Sequence, residues 1–288
     1  MQFYHYFLLF LFLFAQNIGY TQTEKGHSRH CLICQDDQNH TILERPYRDF
    51  SFKSELPFIA SVVGLGITSE LINDPKALTL AQINALDPND VNSFDRYAIS
   101  KSSTKSQDIS DIFQLGVFAL PVIFVTNHHT RKDIVPLIVM SAEVMLINYT
   151  LTDITKKLVG RTRPLAYNDA FPLEEKESAS VRRSFFSGHT SHTAALSFMM
   201  AKVMTDYHPH ARKGFKVGIW SFAAAIPAIT GYLRVRAGKH FPTDTITGYI
   251  AGGLVGILVP QFHKKKDHKK IKVSPSIGWN QAAVNVQF

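Results

Sequence analysis

Three short stretches of the sequence concentrate groups able to do chemistry on an anion. The first runs Lys156-Lys157-Leu158-Val159-Gly160-Arg161-Thr162-Arg163-Pro164, with Lys156 and Arg163 seven residues apart. The second is Phe186-Ser187-Gly188-His189. The third is Arg234-Val235-Arg236-Ala237-Gly238-Lys239-His240-Phe241-Pro242-Thr243-Asp244, where Arg234 precedes His240 by six and Asp244 follows it by four. Lys156, Arg163 and Arg234 show no obvious acidic partner, and three converging cations would hold the oxygens of a phosphate. Ser187 and Gly188 read as a helix start, where free N–H groups and the helix dipole favour an anion and glycine lets it come close. A carboxylate at Asp244 would fix one nitrogen of His240 and leave the other as a nucleophile. His189 is then a second imidazole, free to protonate a leaving alcohol.

Each of these residues also has a plain structural explanation. A lysine at a helix end pairs with the dipole, Arg163-Pro164 stops a helix, and serine at position 187 is a good N-cap. His192 reads as structural or exposed. Arg161, Arg236 and Lys239 read as surface or rim charges that raise local substrate concentration. The order and spacing of the three clusters, taken together, favour chemistry.

The elements that must position these groups are helical. Pro57 opens an apolar stretch to about residue 72, proline being favoured in a first turn. A second helix is expected over about 109–126 with a kink at Pro121, after a mixed region in which 95–99 forms a short amphipathic helix. A polar turn at 127–133 leads into a third helix over 134–157, and a charged loop fills 161–186. Further helices are expected near 188–207, at 215–235 with a kink at Pro227, and at 244–262. Strand signals are absent from this region, so the expected class is all-α, a bundle of six main helices. Gly248 to Gly256 suit close helix packing. The tail alternates at period two over 283–288, and one strand alone makes no sheet; a disordered or loosely packed tail is the expectation.

At this point the sequence resembles the type 2 phosphatidic acid phosphatase (PAP2) and vanadium haloperoxidase superfamily. The pattern Lys-x6-Arg-Pro is complete in Lys156, Arg163 and Pro164. The Pro-Ser-Gly-His element is met by Ser187-Gly188-His189 with Phe186 in the place of proline. The Ser-Arg-x5-His-x3-Asp element is met by Arg234, His240 and Asp244 with Leu233 in the place of serine. The resemblance covers about residues 55–262 and implies the six-helix acid phosphatase/vanadium-dependent haloperoxidase fold. It implies that Lys156, Arg163, Ser187, Gly188 and Arg234 bind phosphate, that His240 attacks phosphorus while oriented by Asp244, and that His189 acts as acid and then base. No metal and no cofactor is implied. The substrate would be a phosphorylated lipid or a small phosphate ester, hydrolysed through a phosphohistidine. The alternatives are a soluble exported acid phosphatase, a vanadate-dependent haloperoxidase on the same cradle, and a non-enzymatic lipid-binding protein.

The formal charge of +8 does not point to nucleic acid. The run 264–272 alone holds six lysines and one aspartate, and a basic cluster after an apolar helix suits a membrane surface or a solvated tail. Residues 1–22 resemble a secretory leader, with the apolar core Phe7 to Ala15 too short to span a bilayer, which needs roughly 20 residues. Residues 23–54 read as a polar linker, 55–262 as the helical domain, and 263–288 as a basic segment and tail. The Cys31–Cys34 pair has too few ligands for a zinc site and reads as a dithiol or local disulfide. The basic connectors at 128–132, 208–216 and 263–272 lie at the helix ends opposite the three motifs. In a bilayer they would face the cytoplasm, with the site on the exported side of the cell envelope. Glu143, Lys202 and apolar runs of only about 16 residues, against the roughly 20 a span needs, leave a soluble exported protein as the alternative.

Overall fold

The computed structural model describes residues 45–127, 129–265, 272–278 and 281–287, which fall in one compact unit. The leader, residues 23–44 with Cys31 and Cys34, and Lys266 to Ile271 of the basic run lie outside the described residues. Among the described residues, six helices of 15 residues or more build the bundle: α1 Phe52–Leu71, α2 Thr104–Phe118, α3 Ile134–Val159, α4 Gly188–Tyr207, α5 Lys213–Arg236 and α6 Pro242–His263. Short helices at Leu80–Asn84, Ser93–Arg96, Ile123–Thr126 and Leu173–Lys176 fill the connections.

The helix ends follow local chemistry. Ser187 caps α4 and accepts from the Thr190 N–H. Pro242 occupies the first turn of α6, and Asp244 reaches back to the Phe241 N–H at 2.9 Å. Gly160, in the left-handed region at φ 57°, closes α3. Two boundaries differ from expectation. Pro57 lies inside α1 as its sixth residue, past the first turn, where it leaves the Lys53 carbonyl without its helical N–H partner. The second helix begins earlier, capped by Ser103, and breaks after Phe118, so Pro121 stands in a separate 3-10 turn rather than at a kink.

The core is centred on α4, whose buried face includes Leu196, Met199, Met200 and Val203, packed with Leu137, Met140 and Val144 of α3. Against its other side lies α6 at very close range. A β-carbon at Gly248, Gly252 or Gly256 would stand 2.6, 2.0 or 2.1 Å from the carbonyl oxygen of Ser187, Ser191 or Ala195. Glycine at this four-residue interval is what lets the two backbones touch, as the sequence suggests.

The six helices alternate in direction. Ser103 N–H bonds the Arg236 carbonyl, and Lys157 bonds the Ser69 carbonyl at 2.7 Å, so the starts of α2, α4 and α6 share one end with the finishes of α1, α3 and α5. The opposite end carries the basic connectors and the start of α1. There Tyr47, 2% exposed, bonds Asp206 at 2.9 Å, and Arg45 pairs with Asp133 at 3.1 Å. Residues 45–48 are therefore held against the bundle.

Three stretches, Thr104–Thr126, Arg131–Tyr167 and Pro242–His263, are long and apolar enough to cross a membrane. Exposed Leu56, Ile59, Val63 and Ile67 on α1, Ile112 and Leu115 on α2, and Ile246, Ile250, Leu254 and Leu258 on α6 stripe the outside at helical spacing. A surface this apolar fits lipid, and the chain is membrane-associated. The tail differs from its expected disorder: Lys272–Gly278 (β1) and Gln281–Gln287 (β2) pair antiparallel, Val273 opposite Val286 and Ser276 opposite Ala283. A partner strand just upstream, in a segment without clear alternation, is what makes the hairpin.

Candidate active site

The three motifs meet at the end of the bundle away from the basic connectors. His240 sits between α5 and α6, 1% exposed. It follows Gly238, which turns the chain at φ 66° and comes so close to Lys101 that a β-carbon there would lie 2.2 Å from its carbonyl oxygen. Burial first, and then the charges of Arg163, Lys156 and Arg234, hold His240 well below the ordinary imidazole range. The three cations named from spacing thus act on one neutral imidazole.

Each cation arrives differently. Lys156, in the last turn of α3, places its Nζ 3.4 Å from the position a Gly188 β-carbon would take, at the start of α4. Arg163 is gripped by backbone carbonyls: Nε donates to Ser180 at 3.0 Å, Nη1 to Lys239 at 3.3 Å and Nη2 to Arg183 at 3.5 Å. Among the described residues no carboxylate stands within ion-pair distance of Lys156 or Arg163. Arg234, 5% exposed on α5, donates through Nη1 to Ser110 Oγ and Asp111 Oδ1, both at 3.2 Å, while its Nε is buried without an acceptor. Uncompensated buried cations of this kind favour an anionic ligand.

The start of α4 supplies the neutral donors. The Ser187 N–H is taken, donating to the Asp244 carbonyl at 3.0 Å, and so links α4 to α6. Its hydroxyl accepts from Thr190 Oγ1 at 3.0 Å and keeps its own proton to give. The N–H groups of Gly188 and His189, in the first turn, have no acceptor among the described residues. The cradle expected from Ser187 and Gly188 is therefore a hydroxyl and two amides, with the Ser187 amide spent on holding the helices together.

Asp244 is more than a partner for His240. Its Oδ2 lies 3.6 Å from His240 Nδ1, beyond a hydrogen bond, and accepts from Ser184 Oγ at 2.5 Å and the Phe241 N–H at 2.9 Å. Its Oδ1 takes Arg161 Nη1 at 2.6 Å. Arg161 also donates to Asp95 at 2.7 Å and stacks on Phe241, 4.3 Å from the ring centroid. Asp95 is held well below the usual carboxylate range, the bonds from Arg161, Thr243 and Asn92 outweighing its burial. Arg161 is thus no surface charge: its side chain is 24% exposed and joins two fully buried carboxylates. Lys239 is likewise engaged, with Glu175 at 2.8 Å. Arg236 is exposed, as read from sequence.

His189 Nε2 meets Asp111 Oδ1 at 2.7 Å, so one carboxylate on α2 touches both His189 and Arg234. Sequence reasoning missed Asp111, 78 residues from His189, and only its place in the first turns of a capped helix marked it. It also missed Arg183, which pairs with Asp74 and Asp153 beside this cradle. His192 is structural, buried against Gln114 at 3.3 Å. A recess of about 300 Å³ between α5 and α6 leads toward this centre. Pro227, Tyr232, Tyr249 and Ile250 line it, and Thr190, the partner of Ser187, stands at its wall.

Comparison with known proteins agrees with the motifs. Residues 137–268 match the family model of the PAP2 superfamily. Phosphatidylglycerophosphatase B of Bacillus subtilis (strain 168) is 28% identical over 195 residues, covering 63% of this chain and 89% of that protein. Among solved structures, a transmembrane PAP2 type phosphatidylglycerolphosphate phosphatase from Bacillus subtilis is 21% identical. It aligns over 71% of this chain and 94% of its own, with a TM-score of 0.43. Aquifex aeolicus LpxE is 20% identical, aligning over 66% of this chain and 99% of its own at a TM-score of 0.36.

Proposed function

We propose, from the match of residues 137–268 to the PAP2 superfamily model, that the chain is a phosphoric ester hydrolase acting on a lipid phosphate through a phosphohistidine, without a metal. The observation that carries this reading is the buried imidazole of His240, on which Arg163, Lys156 and Arg234 all bear, with Lys156 Nζ reaching the start of α4.

Lys156, Arg163 and Arg234, with the Ser187 hydroxyl and the Gly188 and His189 amides, bind the phosphoryl oxygens and neutralise charge as it develops. His240 keeps its proton on Nδ1, toward Asp244, and attacks phosphorus through the Nε2 lone pair. Substrate binding would have to shorten the 3.6 Å separation from Asp244 to a hydrogen bond. The P–O ester bond breaks as the P–N bond forms, and His189 gives its proton to the leaving oxygen. His189 then removes a proton from water, whose oxygen displaces His240 from phosphorus and releases inorganic phosphate. Arg161 acts through Asp244, fixing the carboxylate that fixes His240.

A lipid substrate fits the apolar outer surface and the recess between α5 and α6, where an acyl chain could lie with its phosphate at Ser187. Phosphatidylglycerophosphatase B of Bacillus subtilis, a protein similar to this chain, bears the name of an enzyme for such a lipid. The charge of the connectors at the far end orients the site toward the exported side of the cell envelope.

The test is a phosphate-release panel in EDTA, comparing phosphatidic acid, phosphatidylglycerophosphate and polyprenyl diphosphate with water-soluble esters. Release from the lipids is expected, none from His240→Ala, and a phosphorylated His240 peptide is expected to accumulate in His189→Ala. Full activity in His240→Ala refutes the mechanism, and preference for soluble esters refutes the lipid assignment.

A further inference from the structure

The far end of the bundle holds a second cluster that the phosphatase chemistry does not use. Glu55 of α1, Glu143 of α3 and His263 of α6 are 3%, 6% and 4% exposed. His263 Nε2 lies 2.8 Å from Glu55 Oε2 and 3.1 Å from Glu143 Oε2. Glu143 lies thirteen residues before Lys156 on α3, roughly 20 Å along the axis, so the cluster is separate from the phosphate cradle.

We propose that these three side chains bind one divalent transition-metal ion of the Zn²⁺ or Mn²⁺ kind. Three observations support it. First, the tautomer of His263 is set. Its Nδ1 is 2.9 Å from the Val259 carbonyl, which can only accept, so Nδ1 carries the proton. In the neutral ring Nε2 then offers its lone pair to the space between the carboxylates, the arrangement common in metal-binding histidines. Second, Glu143 Oε2 is buried and makes no aligned hydrogen bond, and both it and Glu55 Oε2 crowd the one nitrogen His263 Nε2, the other Glu55 oxygen taking Ser54 Oγ at 3.1 Å. Third, the charges do not balance without a ligand. Two carboxylates against a single imidazolium leave a net negative charge in the interior, and no other cation stands within ion-pair distance of either glutamate among the described residues. A divalent ion on a neutral imidazole cancels it.

The geometry accepts such an ion. The three donor atoms lie within 4.8 Å of one another. Bonds of about 2.0–2.1 Å place tetrahedral ligands roughly 3.4 Å apart, so small side-chain movements suffice. One imidazole and two carboxylates suit Zn²⁺ or Mn²⁺ and leave a position for water. The ion would tie α1, α3 and α6 together at the end opposite the chemistry.

Full-length protein in detergent, in a Cys31→Ser/Cys34→Ser background that removes adventitious binding to the two thiols, would be stripped with chelator. It is then loaded with Zn²⁺, gel-filtered and assayed for bound metal by mass spectrometry and for melting temperature. About one ion per chain is expected, together with a zinc-dependent rise in melting temperature. Glu143→Gln, which keeps the side-chain shape, should reduce occupancy at least tenfold and remove that rise, whereas His240→Ala should retain both. Background metal and an unchanged melting temperature in the unsubstituted cluster overturn the proposal, and a proton shared between the glutamates then balances the charge. Full occupancy in Glu143→Gln overturns it too, since the metal would sit elsewhere.

Discussion

Replacing Gly252 by alanine adds one methyl group where the α4 and α6 backbones touch. The new β-carbon would stand 2.0 Å from the Ser191 carbonyl oxygen and 2.8 Å from its carbonyl carbon. Both are backbone atoms that no side-chain rotation can move, so the helices must part by more than an ångström. A gap of about 0.5–1 Å forfeits a quarter to a half of each dispersion contact, and tens of atom pairs at about 0.1–0.2 kcal/mol line this seam. The loss is then about 3 kcal/mol, offset by about 1 kcal/mol because alanine favours a helix over glycine. A net cost of about 2 kcal/mol lies within the range for overpacking and corresponds to a melting temperature lower by about 4–8 °C. Gly253→Ala is the control, since its β-carbon meets only the Phe198 ring at 3.3 Å. Opening the seam also pulls Ser187 from Asp244, so Gly252→Ala should lose activity along with stability. Thermal unfolding in detergent and phosphate release from a lipid substrate check both. A Gly252→Ala protein that melts and turns over like the parent refutes the close-contact reasoning.

Other expectations follow from the site. Arg161→Leu leaves Asp95 and Asp244 buried without their cation and should cost about 3 kcal/mol, with a matching fall in kcat; were Arg161 only a rim charge, KM alone would change. Asp111→Asn removes the carboxylate that touches His189, and because Asp111 is half exposed the expected loss of kcat is modest, about three- to tenfold. His240 is held neutral in the fold, so the unfolded chain takes up a proton below about pH 6.5 that the folded chain refuses. Stability from this residue is therefore present above that pH and lost on acidification, by at most about 1.4 kcal/mol per pH unit. The melting temperature of His240→Gln should fall less steeply between pH 7 and pH 5 than that of the parent; parallel curves would show that His240 is not held neutral.

Much of this was legible in the sequence because the informative signals are local. Ser187 and Pro242 mark helix starts by their own side chains, and the boundaries of α4 and α6 fall within two residues of where periodicity and caps place them. The four-residue glycine interval announces its own packing. The three motifs carry fixed spacings that single out Lys156, Arg163 and Arg234, and the fold brings these three cations to bear on His240. What stayed hidden depends on partners distant in the chain. Arg161 looks like a rim charge until Asp95, 66 residues earlier, is seen beside it. Asp111 and Arg183 gain meaning only from the helices opposite them. Glu143 looked like an interruption of an apolar run, yet it has a buried histidine 120 residues away as its neighbour. The β1–β2 pairing escaped because one strand lacks the alternation of the other.

The bridge between Tyr47 and Lys264 has a bearing on how the polypeptide is delivered. Because this bridge holds the two segments together, Lys265 N–H bonding the Pro46 carbonyl at 2.9 Å, a bundle that spans a bilayer keeps Arg45 and Lys265 in one compartment. Removal of an export leader by a protease beyond the bilayer would leave Arg45 and the lysine-rich turns outside and point His240 inward. For a bilayer-spanning bundle, leader cleavage and an outward-facing His240 are mutually exclusive, and the molecular mass of the mature N-terminus would then report which way His240 faces.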